Sequence, residues 1–386
     1  MSTRSIDLDL STRLVHAGEP ARVDGAVNLP IFQSSTFEYG GAGDYHDVRY
    51  IRLNNTPNHL ALGDKLASLE GTEAALVTAS GMAAIATTLL SLLKCGDHVI
   101  ATRTLYGGTM HLFEHDLPAL GITCSFVDAE DPAAWAAALT PHTRVVYTES
   151  MTNPLCEIGD LGGIAAFAKQ HALVSVIDNT FASPVCFRPA TLGFDLIVHS
   201  ATKYLNGHSD IVAGAVMGTH ERIAQVKRKL DHLGGTLDPH ACFLLHRGLR
   251  TLEMRVRQQC ATALTLATTL TSHPAVKSVH YACLPSTPGH ARAKAWFDGF
   301  GGVFSFEPHG GVEAAERFLH GVRLAVSAPS LGGPETLVTR PATTSHAGMT
   351  DEARITRGIN DALIRVAVGF ESARDLTNDF AQALDS

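Results

Sequence analysis

The sequence predicts an α/β protein: a mostly parallel sheet in a large domain, then a smaller α/β carboxyl-terminal domain. Three observations carry this. Across residues 61–233, short apolar runs alternate with helical stretches, the pattern of a parallel sheet covered by helices on both faces. After Pro274 the pattern changes, with strand-like runs at 276–281, 302–306 and 363–368 and helices at 312–319 and 350–358. At 386 residues the chain is also too long for one small core. The expected division is an amino-terminal arm over 1–60, a large domain over 61–255 and a carboxyl-terminal domain over 256–386.

In chain order, residues 1–60 carry dense turn signals, such as Gly40-Gly41 and Asn54-Asn55-Thr56-Pro57, and no long periodic helix. A long irregular arm in a compact enzyme usually wraps a partner, often another subunit. Residues 64–69 read as helix and 74–79 (AALVTA) as a strand; an apolar helix then runs from Ser80 to about Lys94. Strands follow at 98–102, 122–127, 144–148, 173–177, 196–198 and 212–218, with helices at 108–117, 132–139, 164–171 and 221–233. The stretch 239–270 is apolar-periodic with one glycine, Gly248, and reads as one extended or broken helix bridging the domains.

Composition narrows the function classes. Hydrophobic content of 45% and charged content of 18% are those of an ordinary globular protein. A net charge of −8 gives no basic footprint for nucleic acid. No apolar run reaches membrane-spanning length and the stretch MSTRSIDLDLSTRL lacks an apolar signal core, so the cytoplasm is the expected compartment. The seven cysteines are scattered and never form C-x-x-C, which suits buried thiols rather than a disulfide framework or zinc site. His111 and His115 share helical spacing but lack a third ligand, and no metal is expected.

The densest chemistry lies in DLIVHSATKYLNGHSDIVAG, residues 195–214. Its apolar run breaks at Ser200-Ala201-Thr202-Lys203. A lysine just past a buried strand loses solvent and has its pKa lowered, as Schiff-base chemistry requires. Ser200 and Thr202 are sized to hydrogen-bond a phosphate beside it, so the set points to pyridoxal 5′-phosphate (PLP) held by Lys203; alone, it also fits a solvated loop. Ser80-Gly81-Met82, between strand and helix, has the anion-binding layout of free amides at a helix start without matching a nucleotide motif. Asp178 ends a buried run and needs a cation, which a protonated pyridine nitrogen would supply. Tyr106, followed by Gly107-Gly108, can lie flat on that ring. Arg365, inside a buried run, fits either a satisfied core arginine or a bidentate partner for a substrate α-carboxylate. Tyr50 and Arg52 would point the same way if extended, though a surface pair fits equally. Ser80, Thr104 to Tyr106, Glu149, Asp178 and Ser200 to Lys203 all fall at carboxyl ends of strands, where open α/β sheets bind ligands.

The stretches LVHAGEP, GAVNLPIFQSSTF, YIRLNN, LVTASGMAAI, LYGGT, YTESMTNP, VIDNTFASP, HSATKYLNGHSD, LHRGLRTLEMRV, GFGGVFSFE, SLGG and IRVAVGFE resemble the Cys/Met-metabolism, or transsulfuration, family of PLP enzymes over nearly the full length. The resemblance implies the aspartate-aminotransferase fold and tetramers built from two tight dimers. It implies that Lys203 carries the cofactor and shuttles protons, Asp178 pairs the pyridine nitrogen, and Tyr106 stacks on the ring. Gly81, Met82, Ser200 and Thr202 would hold the phosphate, with Tyr50 and Arg52 reaching the neighbouring subunit's cofactor. Arg365, Ser330 and Asn153 would fix the substrate carboxylate and the cofactor's O3′ side, with Glu149 and Thr180 supporting.

The activity so implied is α,γ-elimination from a γ-substituted L-amino acid of the methionine, homoserine or cystathionine type, canavanine included. A γ-synthase or O-acylhomoserine sulfhydrylase is the rival reading, and a non-catalytic regulatory protein of the same fold is the rival from another class. Three departures stand out. One residue is added in Tyr50-Ile51-Arg52-Leu53-Asn54-Asn55-Thr56-Pro57; Gly108 stands where methionine-lyase-like members carry cysteine; Pro329 stands where cystathionine enzymes commonly carry glutamate. Asp44, His46, Asp47 and Arg49 are the candidates for reading a substrate's distal end.

Overall fold

The computed structural model describes residues 8–41 and 43–385. Seven strands form the first sheet: β1 (Ala74–Thr78), β2 (His98–Thr102), β3 (Thr123–Val127), β4 (Thr143–Glu149), β5 (Val174–Asp178), β6 (Leu196–His199) and β7 (Gly214–Gly218). Their spatial order is β1-β7-β6-β5-β4-β2-β3. Strands β2 to β6 pair in parallel, whereas β7 runs antiparallel to both β6 and β1. The run 212–218 becomes strand only from Gly214, because Ala213 is taken up by exchanging hydrogen bonds with Thr202.

The central strands read as continuous apolar runs because both faces are buried. Val146, Ile177 and Ile197 pack into the core on one face, and their predecessors Val145, Val176 and Leu196 into the core on the other. Each such side chain stabilises the fold by about 1.5–3 kcal/mol relative to exposure.

Five strands form the second sheet: β8 (Val276–His280), β9 (Val303–Pro308), β10 (Val326–Ser327), β11 (Leu337–Thr339) and β12 (Ile364–Ala367), ordered β10-β11-β12-β9-β8. Strands β10 and β11, of two and three residues, are too short for a periodic signature in the sequence. Phe304, Phe306, Phe318 and Phe380 share this sheet's core with Leu266 and Leu270 of the long helix Leu252–Thr271.

The stretch 239–270 is two helices, Pro239–Leu249 and Leu252–Thr271. The break follows Gly248, whose backbone lies so near Asn206 that a Cβ would sit 2.3 Å from the Asn206 carbonyl oxygen. Its own carbonyl accepts from Arg255 at 2.7 Å and from the Thr251 amide at 3.2 Å, which redirects the chain. In the arm, Ile51–Leu53 is a single 3₁₀ turn rather than extended chain. Asn54 follows in the left-handed region (φ 54°) with its side chain on the Val77 carbonyl, and the next helix begins at Pro57. Among the described residues, no helix is long and apolar enough to cross a membrane.

Candidate active site

A cavity of about 640 Å³ opens at the carboxyl ends of the parallel strands. Gly81, Met82, Tyr106, Glu149, Asn153 and Asp178 line it, as do Thr180, Ser200, Thr202, Lys203, Ser330 and Arg365. Twelve residues singled out in the sequence thus converge on one space.

Lys203 sits one turn beyond β6, where its Nζ donates to Ser330 Oγ at 2.6 Å. Burial and then the nearby Arg365 charge pull its pKa down to about 8. Close to that pH, a large share of the amine is neutral and can accept a proton. Ser330 holds a non-glycine φ of 101°, and its carbonyl accepts from Arg365 at 3.0 Å. Arg365 also donates to Asn153 Oδ1 at 3.2 Å, while its Nε is buried with no partner among the described residues. A substrate carboxylate would satisfy that donor capacity.

Asp178 accepts from the Thr180 amide at 2.9 Å and the Thr180 hydroxyl at 2.5 Å, both at Oδ1. Burial pushes its pKa up, against these hydrogen bonds and the His199 charge. Glu149, also buried, is pushed well up by burial and then by Asp178, while its Oε1 accepts from the Tyr106 amide at 2.7 Å. Among the described residues, neither carboxylate forms an ion pair, and the His199 charge only partly offsets the burial of Asp178. Behind Asp178, His199 Nε2 meets Glu70 Oε1 at 2.6 Å and Asn179 donates to the same oxygen at 3.0 Å.

The helix Gly81–Leu92 starts at the cavity with Ser80 capping the Ala83 amide at 3.0 Å. A Cβ on Gly81 would lie 2.7 Å from Ser200 Cβ, so the glycine lets the helix start and the Ser200 turn approach as one anion cradle. The Thr202 hydroxyl is committed differently from the expectation: it donates to the Ala213 carbonyl at 3.1 Å and accepts from the Ala213 amide at 2.9 Å. It pins the wall of the cradle with its one proton. Tyr106 folds over Gly108, where a Cβ would meet its Cε1 at 2.7 Å.

Tyr50 and Arg52 do not line the cavity of their own chain. Arg52 donates to the Asp231 carbonyl and to the Tyr45 hydroxyl, and Tyr50 is 38% exposed. Because residues 51–53 turn, the two side chains do not share one face of an extended segment as the spacing suggested. The distal-end candidates also lie elsewhere: His46 pairs with Asp231 at 2.7 Å, and Arg49 sits over Phe37. Pro329 does line the cavity, exposed at its rim. The sequence reading missed Thr344 and Ser345, which close one side from a loop without periodicity. The Gly107-Gly108 pair was the signal for them, since a Cβ at Gly107 would press within 2.2 Å of the Ser345 carbonyl oxygen. It also missed the scaffold beneath. Arg255 donates to the Tyr204 carbonyl at 2.8 Å, and Gln259 donates to the carbonyls of Gly333 and Val368, each at 3.0 Å. Among the described residues, no group of three or more His, Cys, Asp or Glu side chains is placed to hold a metal ion.

PLP presents a phosphate, a basic ring nitrogen and an aldehyde that an amine can capture. The cradle at Gly81, the cation-starved Asp178 and the desolvated Lys203 meet these three demands in turn, so the residues present fit the group. Such a set at the strand ends of this open sheet defines a PLP-dependent enzyme of the aspartate-aminotransferase fold. Residues 11–385 match the family described as Cys/Met metabolism PLP-dependent enzyme, and the chain belongs to it. It is 41% identical to L-methionine gamma-lyase of Pseudomonas putida, over 97% of this chain and 96% of that one. It is likewise 41% identical to cystathionine beta-lyase of Coxiella burnetii, covering 97% of both. Among solved structures, cystathionine gamma synthase of Xanthomonas oryzae superposes with a TM-score of 0.93 at 39% identity, over 98% of each chain.

Proposed function

We propose that this enzyme is a lyase that expels the γ-substituent of an L-amino acid by α,γ-elimination. The observation that carries the reading is the placement of Lys203, whose Nζ hydrogen-bonds Ser330 while Arg365 grips the backbone of that same serine. A substrate whose α-carboxylate replaces part of the Arg365 contacts is thereby held with its Cα hydrogen beside the amine. Bound PLP supplies the electron sink that makes the Cα and then the Cβ hydrogens acidic. Lys203 takes the proton from Cα and shuttles it onward, a role suited to an amine whose pKa is drawn to about 8. Asp178, supported by Thr180, would pair with the ring nitrogen of the bound cofactor, and Tyr106 would pack against its ring. Met151, Phe181 and Leu331 form an apolar flank that limits water near the reacting atoms.

The rim residue Pro329 bears on substrate choice. Cystathionine carries a second ammonium beyond its sulfur, and a carboxylate at this position would pair with it, for about 1.5–3 kcal/mol. Proline has no side-chain acceptor, so cystathionine is handled poorly and a shorter or differently charged tail is favoured. The likeness to a gamma synthase supports a second reading, in which a thiol replaces the γ-substituent of an acylated homoserine. In both readings the working form is a cytoplasmic tetramer of two tight dimers, with Tyr50 and Arg52 completing the neighbour's phosphate site.

The test is a panel of methionine, cystathionine, homocysteine, cysteine, O-acylhomoserines and canavanine, each assayed with and without an added thiol. Ammonia with 2-oxobutyrate supports γ-substituent release by elimination; homoserine from canavanine, formed without ammonia, supports release of the same substituent with water in its place. Thioether formation as the dominant outcome overturns elimination in favour of replacement. Cystathionine emerging with the highest kcat/KM overturns the reading of Pro329.

A further inference from the structure

Two thiols meet behind the active site, outside the machinery described above. Cys186, in the short helix Ser183–Cys186, and Cys260, in the helix Leu252–Thr271, place their sulfurs 3.7 Å apart. Cys186 is 1% exposed, whereas Cys260 is partly exposed. Gly299 packs against both: a Cβ there would lie 3.0 Å from Cys186 Sγ and 3.5 Å from Cys260 Sγ. The two elements belong to different parts of the site. Cys186 lies five residues beyond Phe181, on the segment leaving β5 with Asp178 and Thr180. Cys260 adjoins Gln259, which holds the Gly333 and Val368 carbonyls, and shares its helix with Arg255, which holds the turn after Lys203.

We propose that Cys186 and Cys260 form a peroxide-oxidisable pair whose disulfide locks the Asp178 segment to the helix that carries the Lys203 and Ser330 turns, and so lowers turnover. The partly exposed thiol reacts first. Cys260 is the one whose pKa is lowered, by its hydrogen bond with Cys186 above all, against burial, with help from the Gly301 and Phe300 amides and Arg257. Its thiolate attacks one oxygen of hydrogen peroxide, the O–O bond breaks, and hydroxide leaves and is protonated to water. Cys186 then attacks the resulting sulfenic sulfur as its thiol proton departs, the S–O bond breaks, and hydroxide plus that proton give a second water. Two thiols and one peroxide thus become one disulfide and two waters. Closing 3.7 Å to a disulfide length of about 2.05 Å needs roughly 1.6 Å of travel, within reach of two short rotations and a small slide of the Cys186 helix.

The experiment uses the reduced, PLP-loaded enzyme, titrated with hydrogen peroxide and quenched by alkylation. Disulfides are then located by peptide mapping, and turnover is followed on the best substrate of the panel. The expected result is a Cys186–Cys260 disulfide in the wild type, reversed by dithiothreitol, absent from both Cys186→Ser and Cys260→Ser. Turnover should fall at least 3-fold in proportion to the linked fraction, while Cys260→Ser under the same peroxide keeps its own starting rate. Cys260 found as sulfinic acid with Cys186 still a free thiol overturns the pairing, as does oxidation confined to the exposed Cys95. A quantitative link with unchanged turnover overturns the coupling to the site.

Discussion

Replacing Lys203 with methionine in the cofactor-free protein should stabilise it at neutral pH and leave it little changed at high pH. The amine titrates at about 8 in the fold, against 10.5 as its ordinary value. A lowered lysine pKa means that the folded state binds fewer protons than the unfolded chain between those values. The destabilisation is therefore full below pH 8 and disappears as pH rises through 10.5. Linkage across that gap gives about 3 kcal/mol at pH 6.5 and leaves less than about 1 kcal/mol at pH 10.5. Methionine keeps the apolar stem and removes the charge, so Lys203→Met should exceed wild type by about 3 kcal/mol at pH 6.5. Urea unfolding of both apoproteins at matched concentration, from pH 6.5 to 10.5, measures the difference directly. Arg365→Met, which removes the second cause of the shift, should move the midpoint of the wild-type curve towards higher pH. A difference that stays flat across this range would refute a desolvated, Arg365-repelled amine at position 203.

Other consequences can be checked separately. Asp178→Asn keeps the shape but loses the charge facing a ring nitrogen; one charge-assisted hydrogen bond at about 1.5–3 kcal/mol predicts a 10- to 100-fold fall in kcat, read by steady-state kinetics. Gly81→Ala forces a Cβ against Ser200, and overpacking of about 1–3 kcal/mol should weaken PLP binding 5- to 100-fold in a fluorescence titration of apoprotein. Adding Ser200→Gly to that variant should recover part of the affinity. Arg52→Ala and Lys203→Ala proteins should each be inactive, yet mixing them with verified subunit exchange should restore part of the activity if the arm completes a neighbour's site. No recovery in exchanged oligomers would remove Tyr50 and Arg52 from the phosphate site.

Much of the large sheet was legible because parallel strands buried on both faces must be apolar throughout, as at 98–102, and the structure places β2 on those same residues. The polar residues that interrupt those runs could be read for the same reason, since a charge after a buried strand requires a partner. What could not be read depends on contacts distant in sequence. The split at Arg250-Thr251 follows from Asn206 pressing on Gly248, more than forty residues earlier in the chain. The antiparallel entry of β7 is a matter of pairing, and an apolar run looks the same in either direction. Ser345 reaches the cavity on a loop whose only local trace is the room that Gly107 leaves for it. At Tyr50 and Arg52 a two-residue spacing places side chains together only in extended chain, and the 3₁₀ turn at Ile51–Leu53 that replaces such extension leaves no periodic trace in the sequence.

The helix Leu252–Thr271 has a bearing on how such an enzyme can change its trade. Arg255 and Gln259 reach the carbonyls of Tyr204, Gly333 and Val368 through side chains, and carbonyls are present whatever residue is encoded there. Rim positions such as Pro329 can therefore be exchanged, in natural drift or in a mutant library, without cutting the ties that orient Lys203. Substrate preference and catalytic competence become separately heritable properties of the chain. A library over 329 and 344–345 should return folded, PLP-binding variants at a far higher rate than one over 255 and 259.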